Sequence, residues 1–458
     1  MGVGVSNWTL ARAVARTGHL GVVSGTALDT VLVRRLQDGD PGGHMRRAIE
    51  HFPIAHVGED ALKRYFLPNG RAAVQPYKML PMYKQHVSVA RQQVTMLANF
   101  VEVYLAREGH DGLVGINLLA KVQLPNLASL CGAMLAGVDY VLMGAGIPRE
   151  IPGVLDALSE HRTASMKVDV EGLPAGESEI LTFDPVAHGV NQSMPMRRPK
   201  FIAVVAATSL AATLARKANG RVDGFVVEGP TAGGHNAPPR GEQKLNERGE
   251  PIYGERDVVD IARIAELGLP FWIAGGAGSP KALVDALVAG AAGVQVGTLF
   301  AYCEESGIAE SLKTEVLAHA ALGELDVVTD PRASPTGYPF KVVRWIDDHA
   351  DGPRRERKCD LGYLRTAYRD ADGRIGYRCP AEPVDAYVRK GGTVEDTEGR
   401  ECLCNGLTAN IKQAQVRSGG IEEPPLLTSG DDLLGIQSFL GARTTYTASD
   451  VIDYLMAR

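Results

Sequence analysis

The chain contains no apolar run of the roughly 18 residues that a membrane-spanning helix needs. It also has no basic excess: 48 Lys and Arg stand against 54 Asp and Glu, a formal net charge of −6. That balance argues against a nucleic-acid partner held through phosphate contacts. There is no G-x-G-x-x-G turn, which argues against a dinucleotide-binding doubly wound sheet. No C-x2-C pair occurs, so no standard zinc ribbon is written here. Met1 to Ser6 fits a myristoylation pattern on Gly2, but no polybasic patch or second lipid signal follows. Arg12 and Arg16 break any apolar core of a secretory signal. These absences predict a cytoplasmic protein without membrane or nucleic-acid partners, its self-association into a homo-oligomer left open.

What the chain does have is glycine, 52 of 458 residues, gathered in short clusters beside apolar runs. Such clusters read as backbone brought close to a ligand. Apolar strand candidates recur at 20–24, 113–118, 140–144, 201–206, 224–228, 271–274 and 293–297. Amphipathic segments at 127–136, 210–218, 258–267 and 281–289 lie between them. Continuous apolar strands alternating with helices predict a parallel sheet covered by helices. Several strands end in Gly-rich turns, which in an α/β barrel would all face the active-site end. The predicted fold is therefore a (β/α)8 TIM-type barrel over residues 1–345, followed by a C-terminal extension over 346–458. A β-hairpin insertion is expected at about 165–200, from Ser165–Val170 and Glu179–Phe183.

In the extension, Asp370-Ala371-Asp372-Gly373 marks a second hairpin, and the region from Asp431 to Arg458 reads as helical and packed back on the barrel. Four of the six cysteines fall there: Cys359, Cys379, Cys402 and Cys404. Hairpin-borne thiolates of this kind could hold zinc, or serve an iron–sulfur or redox role. The spacing favours scattered, buried core cysteines, and no metal ligand is assigned. Cys131 and Cys303 lie in helical segments as core.

Three motifs carry the chemistry. Val226 to His235 runs from a strand through paired glycines, Gly233 and Gly234, to His235. A lone histidine is more often a surface or core residue, but this position is where a barrel keeps catalytic side chains. Phe271 to Gly278 and Ala289 to Thr298 form a consecutive pair of strands ending in Gly275-Gly276 and in Gly297-Thr298. Such a pair describes the phosphate site after strands seven and eight of a barrel.

Together with Met1-Gly2-Val3-Gly4-Val5-Ser6, Gly115-Ile116-Asn117-Leu118 and Gly144-Ala145-Gly146, these motifs resemble the nitronate monooxygenase family, formerly the 2-nitropropane dioxygenases. That superfamily also holds an FMN-dependent enoyl-acyl-carrier-protein reductase. The resemblance covers roughly residues 1–345 and implies an FMN-bearing barrel. It implies that backbone at Met1 and Gly2 and the Asn117 amide lie near the flavin ring. It gives Gly275, Gly276, Gln295, Gly297 and Thr298 to the ribityl and phosphate groups, and makes His235 the active-site histidine. In the family a first strand precedes the loop at which this chain begins. Either the true start lies upstream or the barrel lacks that strand.

The resemblance implies an FMN-dependent monooxygenase that oxidises alkyl nitronates with molecular oxygen. The alternative is an NAD(P)H-dependent enoyl reductase acting on carrier-bound acyl chains, with Arg197, Arg198 and Lys200 as a docking rim. A third reading is a non-catalytic flavin-binding barrel with an interaction tail.

Overall fold

The computed structural model describes residues 2–346 and 355–457. Its centre is a parallel sheet of seven strands, paired in chain order: β1 (Gly21–Ser24), β2 (Val114–Leu119), β3 (Tyr140–Gly144), β4 (Lys200–Val205), β5 (Gly224–Glu228), β6 (Phe271–Ala274) and β7 (Gly293–Gln295). All seven expected strands form, with ends displaced by at most two residues. Successive side chains of a strand face opposite ways, and the buried residues sort accordingly. Val23, Ile116, Val141, Phe201, Phe225 and Phe271 join the main core beneath the helices. Leu142, Ile202, Val226 and Ala274 form a separate inner cluster, with Val22, Tyr140, Val204 and Trp272 against it. The α/β barrel architecture is thus as expected, but with seven strands. Among the described residues β1 and β7 are the sheet edges and do not pair with each other.

The C-terminal helix Ala448–Met456 packs on the N-terminal helix Trp8–Arg16 and on Pro280–Val288. Leu10, Val14, Val451 and Leu455 share a second apolar core with Leu299 and Tyr302. The N-terminal helix is capped by Asn7, whose side chain accepts from the Leu10 amide at 2.9 Å.

Between β1 and β2 lie four helices that the sequence pattern did not single out: Leu28–Gln37, His44–Glu50, Ala55–Tyr65 and Val89–Arg107. The insertion pairs Ala164–Val168 antiparallel with Glu179–Phe183. Its next residues, Val170–Glu171, pair instead with Thr366–Arg369 of the extension, which itself forms the expected hairpin with Ile375–Arg378. A further hairpin, Leu325–Asp330 with Phe340–Trp345, was not anticipated. Among the described residues no helix is long and apolar enough to cross a membrane.

Candidate active site

A cavity of about 620 Å³ opens at the carboxyl ends of the strands and runs into the lumen of the curled sheet. It falls within the usual range for small-molecule and cofactor sites, about 300–1,000 Å³. Its wall contains Gly2, Asn117, Gly233, Gly234, His235, Gly275, Gly276, Gln295, Gly297 and Thr298. The structure thus brings the expected site residues to one place. Met1 lies outside the described residues.

The glycines have distinct reasons to be there. Gly275 and Gly276 adopt φ of +87° and +65°, which side-chain-bearing residues rarely do. A Cβ at Gly275 would also stand 2.9 Å from Thr231 Oγ1 and 3.0 Å from the Ala232 amide nitrogen. At Gly297 a Cβ would meet nothing within 4 Å, so the wall is open there to a ligand. Gly233 differs again. A Cβ on it would lie 2.7 Å from the Gly430 nitrogen, so the close approach its missing side chain permits is to the extension. Gly430 in turn donates its amide to Thr298 Oγ1 at 3.0 Å, and Thr428 Oγ1 accepts from the Gly234 amide at 3.0 Å. Residues 428–430 are therefore part of the site, although nothing in their sequence pattern pointed to it.

His235 is fixed by the unanticipated hairpin. Its neighbours exchange backbone bonds with it, Lys341 N to Gly234 O and Asn236 N to Pro339 O, both at 2.9 Å. Its ring meets Phe340 edge-on with centroids 4.9 Å apart. His235 Nε2 is 2.7 Å from Ser334 Oγ, which is 2.8 Å from Thr336 Oγ1. Lys121 Nζ closes the chain by donating to Thr336 Oγ1 at 3.1 Å. Burial, with the Lys121 charge nearby, pushes the His235 imidazole down to about 3, so the ring is neutral at ordinary pH. Burial likewise brings Lys121 down to about 7 and raises Glu228, at the end of β5 on the cavity wall, to about 7. Neither had been singled out from sequence. The available signal was their position, at or just past the carboxyl end of a barrel strand.

The expected basic rim is not at this mouth. Lys200 opens β4 at its amino end. Arg197 is paired with Asp139 at 2.5 Å, and Arg198 with Asp156 and Asp223 at 2.5 and 2.7 Å. The three charges therefore sit on the far side of the sheet, two of them already neutralised by carboxylates.

Comparison with known proteins bears on this geometry. Residues 175–338, just over a third of the chain, match the family described as nitronate monooxygenase. The match is confined to this segment. It spans β4 to β7, the Gly229–His235 turn, both Gly-rich phosphate-type turns and the loop that carries Ser334 and Thr336. By this match the chain is a flavin-dependent oxidoreductase related to the nitronate monooxygenases. A search of curated proteins returns no match.

Among solved structures, FabK from Thermotoga maritima is 15% identical, with 99% of this chain and 88% of that one covered and a TM-score of 0.45. Nitroalkane oxidase from Streptomyces ansochromogenes is 14% identical, at 99% and 92% coverage and a TM-score of 0.45. The enoyl reductase domain of MlnA from Bacillus amyloliquefaciens is 10% identical, at 100% and 92% coverage and a TM-score of 0.45. At such identities and scores nothing about substrate passes from these proteins to this chain.

Proposed function

We propose that the chain binds FMN in the cavity and oxidises alkyl nitronates with molecular oxygen. One observation supports this above the rest. The segment of nitronate monooxygenase type carries both His235 and the paired glycine turns, and all of them line one cavity. The residues fit a flavin mononucleotide. Gly275-Gly276 and Gly297-Thr298 offer backbone amides and a hydroxyl for one phosphate, Gln295 a side-chain amide for the ribityl chain, and Gly2, Asn117, Gly233 and Gly234 small or polar surface for the ring. The bound flavin supplies two-electron chemistry and reaction with oxygen, while the protein supplies position and charge.

The neutral His235 favours a substrate that arrives already ionised. A base whose conjugate acid is held to about 3 removes a carbon-bound proton poorly. A nitronate needs no such step. His235 would instead hold a nitronate oxygen by a hydrogen bond donated from Nδ1–H, its Nε2 accepting from Ser334 Oγ.

Oxygen uptake and NADPH oxidation measured side by side on the FMN-loaded protein test the reading. We expect uptake that depends on an alkyl nitronate and exceeds the rate with the parent nitroalkane. NADPH oxidation driven by an enoyl thioester, without nitronate-dependent uptake, would replace it with the reductase reading. Neither activity with FMN bound would leave a non-catalytic binding protein.

A further inference from the structure

We propose that Cys359, Cys379, Cys402 and Cys404 are the thiolate ligands of a metal centre of thiophilic chemistry, built into the C-terminal extension. The sequence pattern favoured scattered core cysteines, and the structure does not scatter them. Three chain segments, each carrying at least one of the four, are tied to one another by hydrogen bonds from their immediate neighbours. Arg357, two residues before Cys359, donates to the carbonyl of Pro380, next to Cys379, at 2.9 Å, and to that of Thr397 at 2.6 Å. The Asn405 side-chain nitrogen touches Cys402 Sγ at 3.4 Å, Asp360 Oδ1 at 2.8 Å and Lys358 O at 3.4 Å. One amide thus binds a cysteine sulfur and both residues that flank another. Cys404 is within electrostatic reach of Cys402, Cys359 and Cys379.

The other two cysteines serve as an internal comparison. Cys131 and Cys303 are fully buried in apolar cores, and neither has another cysteine in its electrostatic surroundings. That is how a core cysteine looks in this protein. The four of the extension have instead one another, with the cations Arg365 near Cys359 and Arg355 near Cys402 to balance charge on sulfur.

Local packing gives a reason for a metal there. The secondary structure around the four is a four-residue-strand hairpin, the helix Val384–Arg389 and the helix Leu403–Ala409. The apolar cluster nearest them contains five buried residues: Ala333, Phe340, Val342, Leu403 and Leu426. Elements this short bury too little surface to hold a unique arrangement, and a metal commonly supplies the difference. As placed, no three His, Cys, Asp or Glu groups among the described residues close round a single ion. Zinc, with Zn–S of about 2.3 Å, would therefore require the thiols to rotate inward. A [4Fe–4S] cluster, whose four thiolates sit on separate irons, takes more widely spaced sulfurs.

The test uses the full-length protein, purified without oxygen and without added metal, and read by elemental and acid-labile sulfide analysis. About one zinc per chain, or about four irons with matching sulfide, supports the centre and tells the two sources apart. Cys379→Ser should lose most of that metal, whereas Cys131→Ala should keep it. Should Cys379→Ser not fold, wild-type stoichiometry and a thiol titration still decide. Metal well below one per chain, with six free thiols titrating in denaturant, overturns the proposal. So does a Cys402–Cys404 disulfide with no metal present. Because Leu403, Cys404 and Leu407 also line the large cavity, stripping the metal should loosen FMN retention. That readout is independent of any turnover assay and of which substrate the enzyme takes.

Discussion

The curled sheet and the C-terminal extension are held by different forces. The strands β2 to β6 are mostly apolar and are fixed chiefly by backbone pairing and burial. The extension is docked through buried polar groups. The Tyr363 hydroxyl donates to Asp29 Oδ1 at 2.5 Å, and Asp29 is paired with Arg91 at 2.7 Å, both carboxylate and guanidinium buried. Arg34 Nη1 donates to the Gln413 carbonyl at 2.5 Å and to Thr408 Oγ1 at 3.1 Å. The sheet therefore positions the site's backbone, while the extension, which also shares an apolar core with the N-terminal helix, is held in part by buried polar groups and charge. One region should tolerate apolar exchange and the other should not tolerate loss of a single polar partner.

The largest effect expected is on chemistry, within the sheet region. His235→Ala should cut turnover by about 10²–10³-fold, the usual scale for a lost positioned hydrogen-bond donor. FMN should stay bound, since the phosphate-type turns lie on other strands, and steady-state rates with flavin content measured in parallel check both halves. Rates near wild type would assign the chemistry elsewhere.

Next comes the docking of the extension. Asp29→Asn leaves Arg91 buried without its counter-charge and should cost about 3–5 kcal/mol in a denaturant titration. The pH dependence follows from the direction of the Asp29 shift. Burial alone would raise its pKa, but Arg91 and the Tyr363 hydroxyl outweigh that and hold it below the usual range. Its stabilising effect is thus present above the ordinary carboxylate range and lost as pH falls through the folded value. A loss of stability on acidification that survives Asp29→Asn unchanged would contradict the assignment.

A smaller effect sits where the two regions touch. Gly430→Ala would place a Cβ 2.9 Å from both Thr231 O and Thr298 Oγ1. Overpacking of that kind costs about 1–3 kcal/mol. It should appear as weaker FMN binding with the far-ultraviolet circular dichroism of the sheet preserved.

The smallest effect is the pH response of the site itself. With Lys121 at about 7 and His235 at about 3, the positive charge near neutrality belongs to Lys121. Binding of a nitronate or other small anion should weaken as pH rises through about 7, where Lys121 loses its charge and Glu228 gains one, and Lys121→Met should reduce that step while His235→Asn leaves it. His235 acts instead on stability. Between about 6.5 and 3 the unfolded chain takes up a proton that the buried ring refuses, so His235 lowers stability as pH falls through that window.

These differences also explain what could be read from the chain itself. Strands such as Tyr140–Gly144 and Gly224–Glu228 are legible because a short apolar run that ends in glycine has few other uses. The expected ligand-side residues Gly275, Gly276, Gly297 and Thr298 were legible for the same reason. The helices from Leu28 to Tyr65 were not, because their buried faces include Asp29, Thr30, Arg34 and Gln37, which break an apolar stripe. Nor were Ser334 and Thr428. Each contributes one hydroxyl from a loop, and only the fold brings them within hydrogen-bond distance of His235 and Gly234.

Gly233 and Gly430 meet back to back, each occupying the space that a side chain on the other would need. A methyl group at either position must therefore displace the extension from its seat. Once a methyl group at either position has lifted it, a second at the other meets open space. The two substitutions should therefore cost far less together than their separate costs imply, as expected of residues in direct contact. In mechanical terms the pair is a latch between the turn after β5 and the extension.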